Sequence, residues 1–278
     1  MKRKSILSIL LTGALAISLV GCGGAKTDNS TGSASKDKTI TIGVTPVPHK
    51  DIVEVIKPEL EEKGYTVNIV EFTDYVTPNT SLEEGELDAN YFQTIAYLDE
   101  TNEGKGLHLT YTKGVHLEPL AVYSRKIKAL KEIQDGAIVA VPNDPSNEAR
   151  ALRVLENSGL IKLKDGELVT PKDITENPKN LKFEELEAAQ LPRVLDEVAL
   201  AVINGNYALE AGLSPSKDAV FVEDANSEAS KKYHNVIAIK KGNENIQKIK
   251  DLTEALTSDT VKKYIEEKYS DGSVLPVF

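Results

Sequence analysis

The chain has one cysteine and no tryptophan in 278 residues, and aromatic residues make up only 5% of it. A single cysteine cannot close an internal disulfide, so the fold has to stand on its apolar core. With so few aromatic rings, each well-placed Tyr or Phe is informative. Positive charge is short as well: 33 Lys and Arg stand against 43 Asp and Glu, a formal net charge of −10. That balance argues against a nucleic-acid reader and against direct attraction to anionic lipid heads. Long apolar runs are missing apart from Ile6 to Val20, which is too short for a comfortable membrane span. Catalytic signatures are missing too. There is no GxSxG, Walker A or dinucleotide fingerprint. The histidines His49, His108, His116 and His234 are scattered, with no HxxxH, so neither a metal nor a cofactor is expected.

What is present begins at the N-terminus. Lys2, Arg3 and Lys4 precede the apolar run, which ends in Leu19-Val20-Gly21-Cys22. This is the layout of a secretory signal with a bacterial lipobox. Residues 1–21 are expected to be a signal peptide and Cys22 to be lipidated, with palmitate among its acyl chains. One chain anchors only marginally, so two or three are needed for a stable hold. Residues 22–38 are rich in Gly, Ser, Thr, Asn and Asp and read as a flexible tether. The expected product is a body held near the outer face of a membrane.

The body alternates β-branched runs with helical patterns, the mark of an α/β fold with mostly parallel strands. Strands are expected at Thr39–Val44, Thr66–Phe72, Ile138–Val141, Val198–Ile203 and Val236–Ile239, with two extended pieces around Glu118-Pro119. Helices are expected at Lys50–Lys63, Ser81–Glu86, Phe92 to about Glu100, Asp144–Ser158, Asn245–Thr257 and Ser258–Lys268. The fourth is well punctuated: Asp144 as N-cap, Pro145 at the first helical position, Gly159 beyond the end. Val198–Ile203 is apolar throughout, as a strand covered on both faces would be.

In open α/β sheets ligands bind beyond the carboxyl ends of strands. The segments there are polar: Thr73-Asp74-Tyr75, Pro142 to Asn147, and Asn204-Gly205-Asn206-Tyr207. Asn147 and Arg150 share a helix face, and a guanidinium near a helix start suits a carboxylate. A solvated Arg is the commoner meaning of that pattern taken alone. Asn204 could accept from an ammonium, or simply make a turn. Tyr75 and Phe92 could wall an apolar pocket or belong to the core. His116 and Glu118 face the same way; an acid/base pair is one reading, and a device that holds a crossover is the favoured one.

The stretches FTDYVTPN (72–79), GELDANYFQ (85–93), YSRKIKAL (123–130), VAVPNDPSNEARAL (139–152), NPKNLKFEELEAAQLPR (177–193) and AVINGNYA (201–208) resemble the NlpA/MetQ family over the whole body. These are methionine-binding lipoproteins of ABC importers. The resemblance implies a two-lobed periplasmic-binding-protein fold with two crossover strands and a ligand cleft between the lobes. Lobe one would comprise residues 39–120 plus 236–278, and lobe two residues 121–235. By motif, Arg150 and Asn147 would hold the ligand carboxylate, with Asn204 near its amino and carboxylate groups. Tyr75 and Phe92 would line the side-chain pocket. Thr94 stands where many members carry histidine, which leaves the side-chain preference more open. The implied partners are an amino acid, an ABC permease with its ATPase, and a membrane reached through the lipid. The rival readings are a methionine-containing dipeptide or other amino-acid binder, a dehydratase-like enzyme on the same fold, and an adhesin.

Overall fold

The computed structural model describes residues 38–278; the expected signal peptide, Cys22 and the tether up to residue 37 lie outside the described residues. From Lys38 on, the chain forms a compact unit. The first part runs β1 (Thr39–Val44), α1 (Asp51–Glu62), β2 (Thr66–Glu71), α2 (Thr77–Glu84), β3 (Ala89–Thr94), α3 (Ile95–Lys105) and β4 (Leu109–Leu117). The chain then crosses to β5 (Ala121–Tyr123), β6 (Ile138–Pro142), α4 (Pro145–Asn157), β7 (Lys162–Leu163), β8 (Ile174–Glu176), β9 (Lys182–Leu186), β10 (Leu200–Ile203), α5 (Gly205–Glu210), α6 (Pro215–Asp218) and β11 (Ala219–Val222). It returns through β12 (His234–Lys240), α7 (Gln247–Leu256), α8 (Asp259–Lys268) and β13 (Leu275–Pro276).

Two main sheets result, ordered β13-β4-β12-β3-β1-β2 and β11-β5-β10-β6-β9. Each has its own core. Ile40, Ile42 and Val44 of β1 pack under Ile52, Val53, Ile56 and Leu60 of α1, with Leu252 and Ile265 of α7 and α8 joining them. In the second sheet Val139, Val141, Leu200 and Val202 meet Leu152 and Leu155 of α4. The all-apolar β10 lies at the centre of its sheet and is buried at all four positions, as a strand covered on both faces must be.

Two expectations are corrected. The strands are not mostly parallel. β1, β2 and β3 run parallel, as do β10, β6 and β9, but β12 is antiparallel to both β3 and β4, and β5 is antiparallel to β10 and β11. A chain that leaves one sheet and returns to it brings its crossover strands back in the reverse sense. The helix expected from Phe92 instead begins at Ile95. Residues 89–94 are a strand, buried at all six positions, that pairs with β1 on one side and β12 on the other. Pairing on both edges outweighs local propensity here, and Thr94 then caps the helix by accepting from the Tyr97 N–H at 3.2 Å.

The two crossovers run side by side, with His234 opposite Leu117 and Asn235 opposite His116. The segment around Glu118 and the start of β12 therefore form one structural joint between the sheets.

Candidate functional site

Three loops that follow strands meet where the two sheets face each other. The loop after β2 brings Tyr75, that after β6 leads into α4 with Asn147 and Arg150, and that after β10 ends at Asn204, with Gly205 and Asn206 opening α5. They enclose a narrow cavity together with Phe92, Gln93 and Thr94 of β3, Tyr97 of α3, Glu118 and Asn235. The free space inside it is about 20 Å³, enough for about one water. All six expected residues (Tyr75, Phe92, Thr94, Asn147, Arg150 and Asn204) stand on this cavity. The fold therefore brings together four stretches of the chain, at 75, 92–94, 147–150 and 204.

The polar side starts from the helix cap of α4. Asp144 accepts from the Asn147 backbone N–H at 2.9 Å and from its side-chain amide at 3.0 Å. That fixes Asn147 so that its oxygen accepts from Nδ2 of Asn204 at 2.9 Å. Asn204 sits at the N-cap of α5 but makes no side-chain cap bond. Its Oδ1 is buried and has no hydrogen-bond partner. A buried acceptor left open in this way costs about 1–3 kcal/mol, so it marks a place where a donor is expected to bind. Asn147 thus spends its amide on Asp144 and Asn204 in this structure, and it orients its neighbour.

Of the described residues that line the cavity, Arg150 is the one cation and Glu118 the one carboxylate. Both are buried, at 3% and 6% exposure. Burial raises the Glu118 pKa, while His49 and Arg150 pull it down. For Arg150 burial lowers the pKa, and the Glu223 charge and hydrogen bond overcome it, with a net rise.

The apolar side is a cluster of rings. Tyr75, Phe92 and Tyr97 lie with centroids 5.7–6.0 Å apart, within the range of favourable aromatic pairs. Tyr97 carries no sequence motif; it reaches the cavity because it lies three residues beyond the Thr94 cap. Tyr75 also donates to Asn206 Oδ1 at 2.5 Å, and Tyr207 donates to the Thr73 carbonyl at 3.1 Å. These bonds tie the β2 loop of the first sheet to α5 beyond the second, as a closed cleft requires.

Behind the cavity lies the joint. His116 Nε2 bonds Glu118 at 2.7 Å, and its Nδ1 bonds the Tyr91 hydroxyl. His49 bonds Thr45 through Nδ1 at 2.7 Å and Asn235 through Nε2 at 3.0 Å, and lies 3.5 Å from Glu118. His49, His116 and Glu118 place their ligand-type atoms within 4.8 Å of one another. Every ring nitrogen is already hydrogen-bonded, so the group is a buried polar network that links both crossovers. The favoured reading of His116 and Glu118 as a crossover device matches this geometry.

Burial lowers the His49 pKa to about 4 and that of His116 to about 3. Between about pH 6.5 and 4 the unfolded chain binds protons that the folded one refuses. Stability from these histidines is complete above that window and is lost as the pH falls through it, by at most about 1.4 kcal/mol per pH unit for each. Glu118 acts in the opposite sense, because its raised pKa favours the folded state as acid is added. Between pH 7 and 4.5 these two histidines therefore pull the melting temperature down. The His116→Gln variant should show a shallower fall. Equal slopes in thermal melts across that range would remove the network as the cause.

Two β-sheets joined by paired crossovers, with a polar and aromatic cavity closed between them, define a two-lobed solute-binding protein. The chain belongs to the NlpA lipoprotein family, whose sequence profile matches residues 40–278. It is 44% identical over 269 residues to the D-methionine-binding lipoprotein MetQ of Escherichia coli strain K12, covering 95% of this chain and 94% of that one. Among solved structures it is similar to a nutrient binding protein from Burkholderia cenocepacia bound to methionine. The TM-score there is 0.82 at 43% identity, over 86% of this chain and 100% of the other. A periplasmic substrate-binding protein of an ABC transporter from Coxiella burnetii matches with TM-score 0.81 at 43% identity, over 86% and 100% of the two chains.

Proposed function

We propose that this protein captures free methionine as a zwitterion between its two lobes and delivers it to an ABC permease with its ATPase. The observation that carries this reading is the composition of the cavity wall: one guanidinium, one carboxylate and an open amide oxygen beside three clustered rings. The ligand carboxylate would bond Arg150. The ammonium would bond Asn204 Oδ1 and Glu118, the latter a role that the sequence did not suggest. A thioether against Tyr75, Phe92 and Tyr97 gains favourable sulfur–ring contacts. Asn147 and Thr94 complete the ligand-binding set.

Residues 39–120 plus 236–278 would move as one lobe and 121–235 as the other, hinging at the paired crossovers. Lipidation at Cys22 after removal of residues 1–21, with 22–38 as tether, would hold the body on the extracytoplasmic side of a membrane. The protein would bind its solute without converting it. His116 and Glu118 are hydrogen-bonded to each other within the joint, which supports a holding role for them over acid/base work.

A thermal-shift screen of unfolded and refolded, ligand-stripped protein tests this. The panel holds the common L-amino acids, D-methionine and glycyl-methionine; both enantiomers are included because the relatives' name specifies the D form. Ligand at a thousandfold over its dissociation constant adds about 4 kcal/mol. A selective shift with methionine is expected. A shift only with the dipeptide would change the solute, and no shift with any compound would contradict the reading.

A further inference from the structure

Arg150 lines two spaces at once. On one side is the closed cavity; on the other is an outer groove that it lines with Glu223, Tyr233, Phe221 and Arg153. Its donors are divided between the two sides. Nε and Nη2 hold the Glu223 carboxylate side-on at 3.2 and 2.6 Å, and Nη2 also donates to the Glu118 carbonyl at 2.9 Å. Nη1 makes no hydrogen bond to a described residue, which leaves it free to donate to a ligand. The guanidinium carbon lies 4.2 Å from the centroid of the Tyr233 ring, inside cation–π range. Glu223 is itself fixed, because its carboxylate accepts from the Leu120 N–H at 3.1 Å.

We propose that Glu223 and Tyr233 are positioning residues that aim the Arg150 guanidinium into the cavity, so that recognition of the ligand carboxylate depends on two side chains that do not line the cavity. The inference rests on the methionine reading. Two effects compete. Glu223 offsets part of the Arg150 charge, which by itself would weaken the pull on a ligand carboxylate. It also grips the guanidinium side-on through Nε and Nη2, which fixes the direction of Nη1. A glutamine at 223 turns an amide N–H₂ toward a guanidinium edge that can only donate. With that edge repelled, the guanidinium no longer holds its free Nη1 in place for a ligand carboxylate, while Glu118 and Asn204 Oδ1 remain for an ammonium. Orientation therefore dominates over charge offset.

The bond to the Glu118 carbonyl and the stack on Tyr233 add a mechanical consequence. Glu118 lies on the first crossover and Tyr233 immediately precedes β12 on the second. One guanidinium thus touches both crossovers and the cavity, so its position is coupled to the geometry of the joint.

The test is calorimetric titration of the ligand-stripped full chain in detergent with L-methionine and with 3-(methylthio)propylamine, which has the same side chain and amine but no carboxylate. Glu223→Gln is expected to weaken methionine binding tenfold or more and to leave the amine within threefold. Glu223→Asp should recover part of the loss. Tyr233→Leu should act in the same direction, while Tyr233→Phe, which keeps the ring, should bind as the parent does. A wild-type chain that binds no methionine refutes the parent reading. If the wild type binds and the Glu223 and Tyr233→Leu variants match it, or lose both ligands equally, the positioning role is overturned. Should Glu223→Gln fail to fold, the Tyr233 pair decides alone.

Discussion

Arg150→Ala is expected to abolish methionine binding, and the structure shows why the loss should be large. The guanidinium is the one cation among the described residues lining the cavity, and it is 3% exposed. Removing one partner of a desolvated, hydrogen-bonded charge pair costs about 2–5 kcal/mol of affinity. At about 1.4 kcal/mol per decade, that is roughly thirtyfold to a few thousandfold. The same substitution strands Glu223, whose side chain is only 10% exposed in its ion pair. Breaking a buried pair from one side costs about 3–5 kcal/mol of stability, on the order of 10 °C in a domain of this size. A variant that only unfolds would mimic a variant that only fails to bind. The double change Arg150→Gln with Glu223→Gln separates the two, because it removes both charges. It should regain most of the melting temperature in ligand-free melts and still show no methionine-dependent shift. Methionine binding at wild-type affinity in that variant would take Arg150 out of the site.

The second large effect is expected at Gly205. A Cβ there would lie 2.5 Å from Glu118 Oε2 and 2.6 Å from Glu118 Cβ, both closer than such contacts allow. The Cβ moves only with the crossover backbone, and the carboxylate is held by His116 and by the Asn206 backbone N–H. Gly205→Ala therefore pushes α5 away from the joint, at about 1–3 kcal/mol for an overpacked site. It also displaces Asn204 and Asn206, which flank it on the cavity wall, so methionine affinity should fall at least tenfold. Gly85→Ala is the control. Its φ is +82° and nothing lies within 4 Å of the added Cβ, so the cost is about 1–2 kcal/mol of left-handed backbone strain alone. Urea melts and titrations should show Gly85→Ala destabilised with unchanged affinity, and Gly205→Ala impaired in both. Unchanged binding in Gly205→Ala would show that the approach of α5 to Glu118 is not needed for the site.

Much of this site is readable from local chemistry. Asp144, Pro145 and Gly159 punctuate α4, and that punctuation places Asn147 and Arg150 on its first turns. The all-apolar run of β10 announces a central strand, so the polar Asn204 after it falls at a cleft. Phe92 was expected on the cavity and stands there, although on a strand instead of a helix. Its neighbours pair on both edges with strands distant in sequence, which no local pattern reveals. The same limit hides the second partners. Glu223 lies 73 residues from Arg150, and nothing around it signals a guanidinium. His49 and His116 are scattered in the chain, and only the return of β12 beside β4 brings them into one network with Asn235. Glu118 was legible as part of a crossover, since Pro119 follows it. Its place on the cavity wall depends on Gly205 allowing a close approach, a fact of packing that sequence does not carry.

In the proposed complex methionine lies in the cavity between the lobes with its carboxylate on Arg150. The only methionine of the chain is Met1, so a body beginning at Lys38 contributes none of its own. Refolded, ligand-stripped protein co-crystallised with selenomethionine as ligand would therefore carry a single anomalous scatterer, that of the bound molecule. A selenium peak is expected against Tyr75, Phe92 and Tyr97, with the ligand carboxylate within hydrogen-bond distance of Arg150 Nη1 and the ammonium on Asn204 Oδ1. A selenium peak outside this cavity, or a ligand whose carboxylate points away from Arg150, would contradict it.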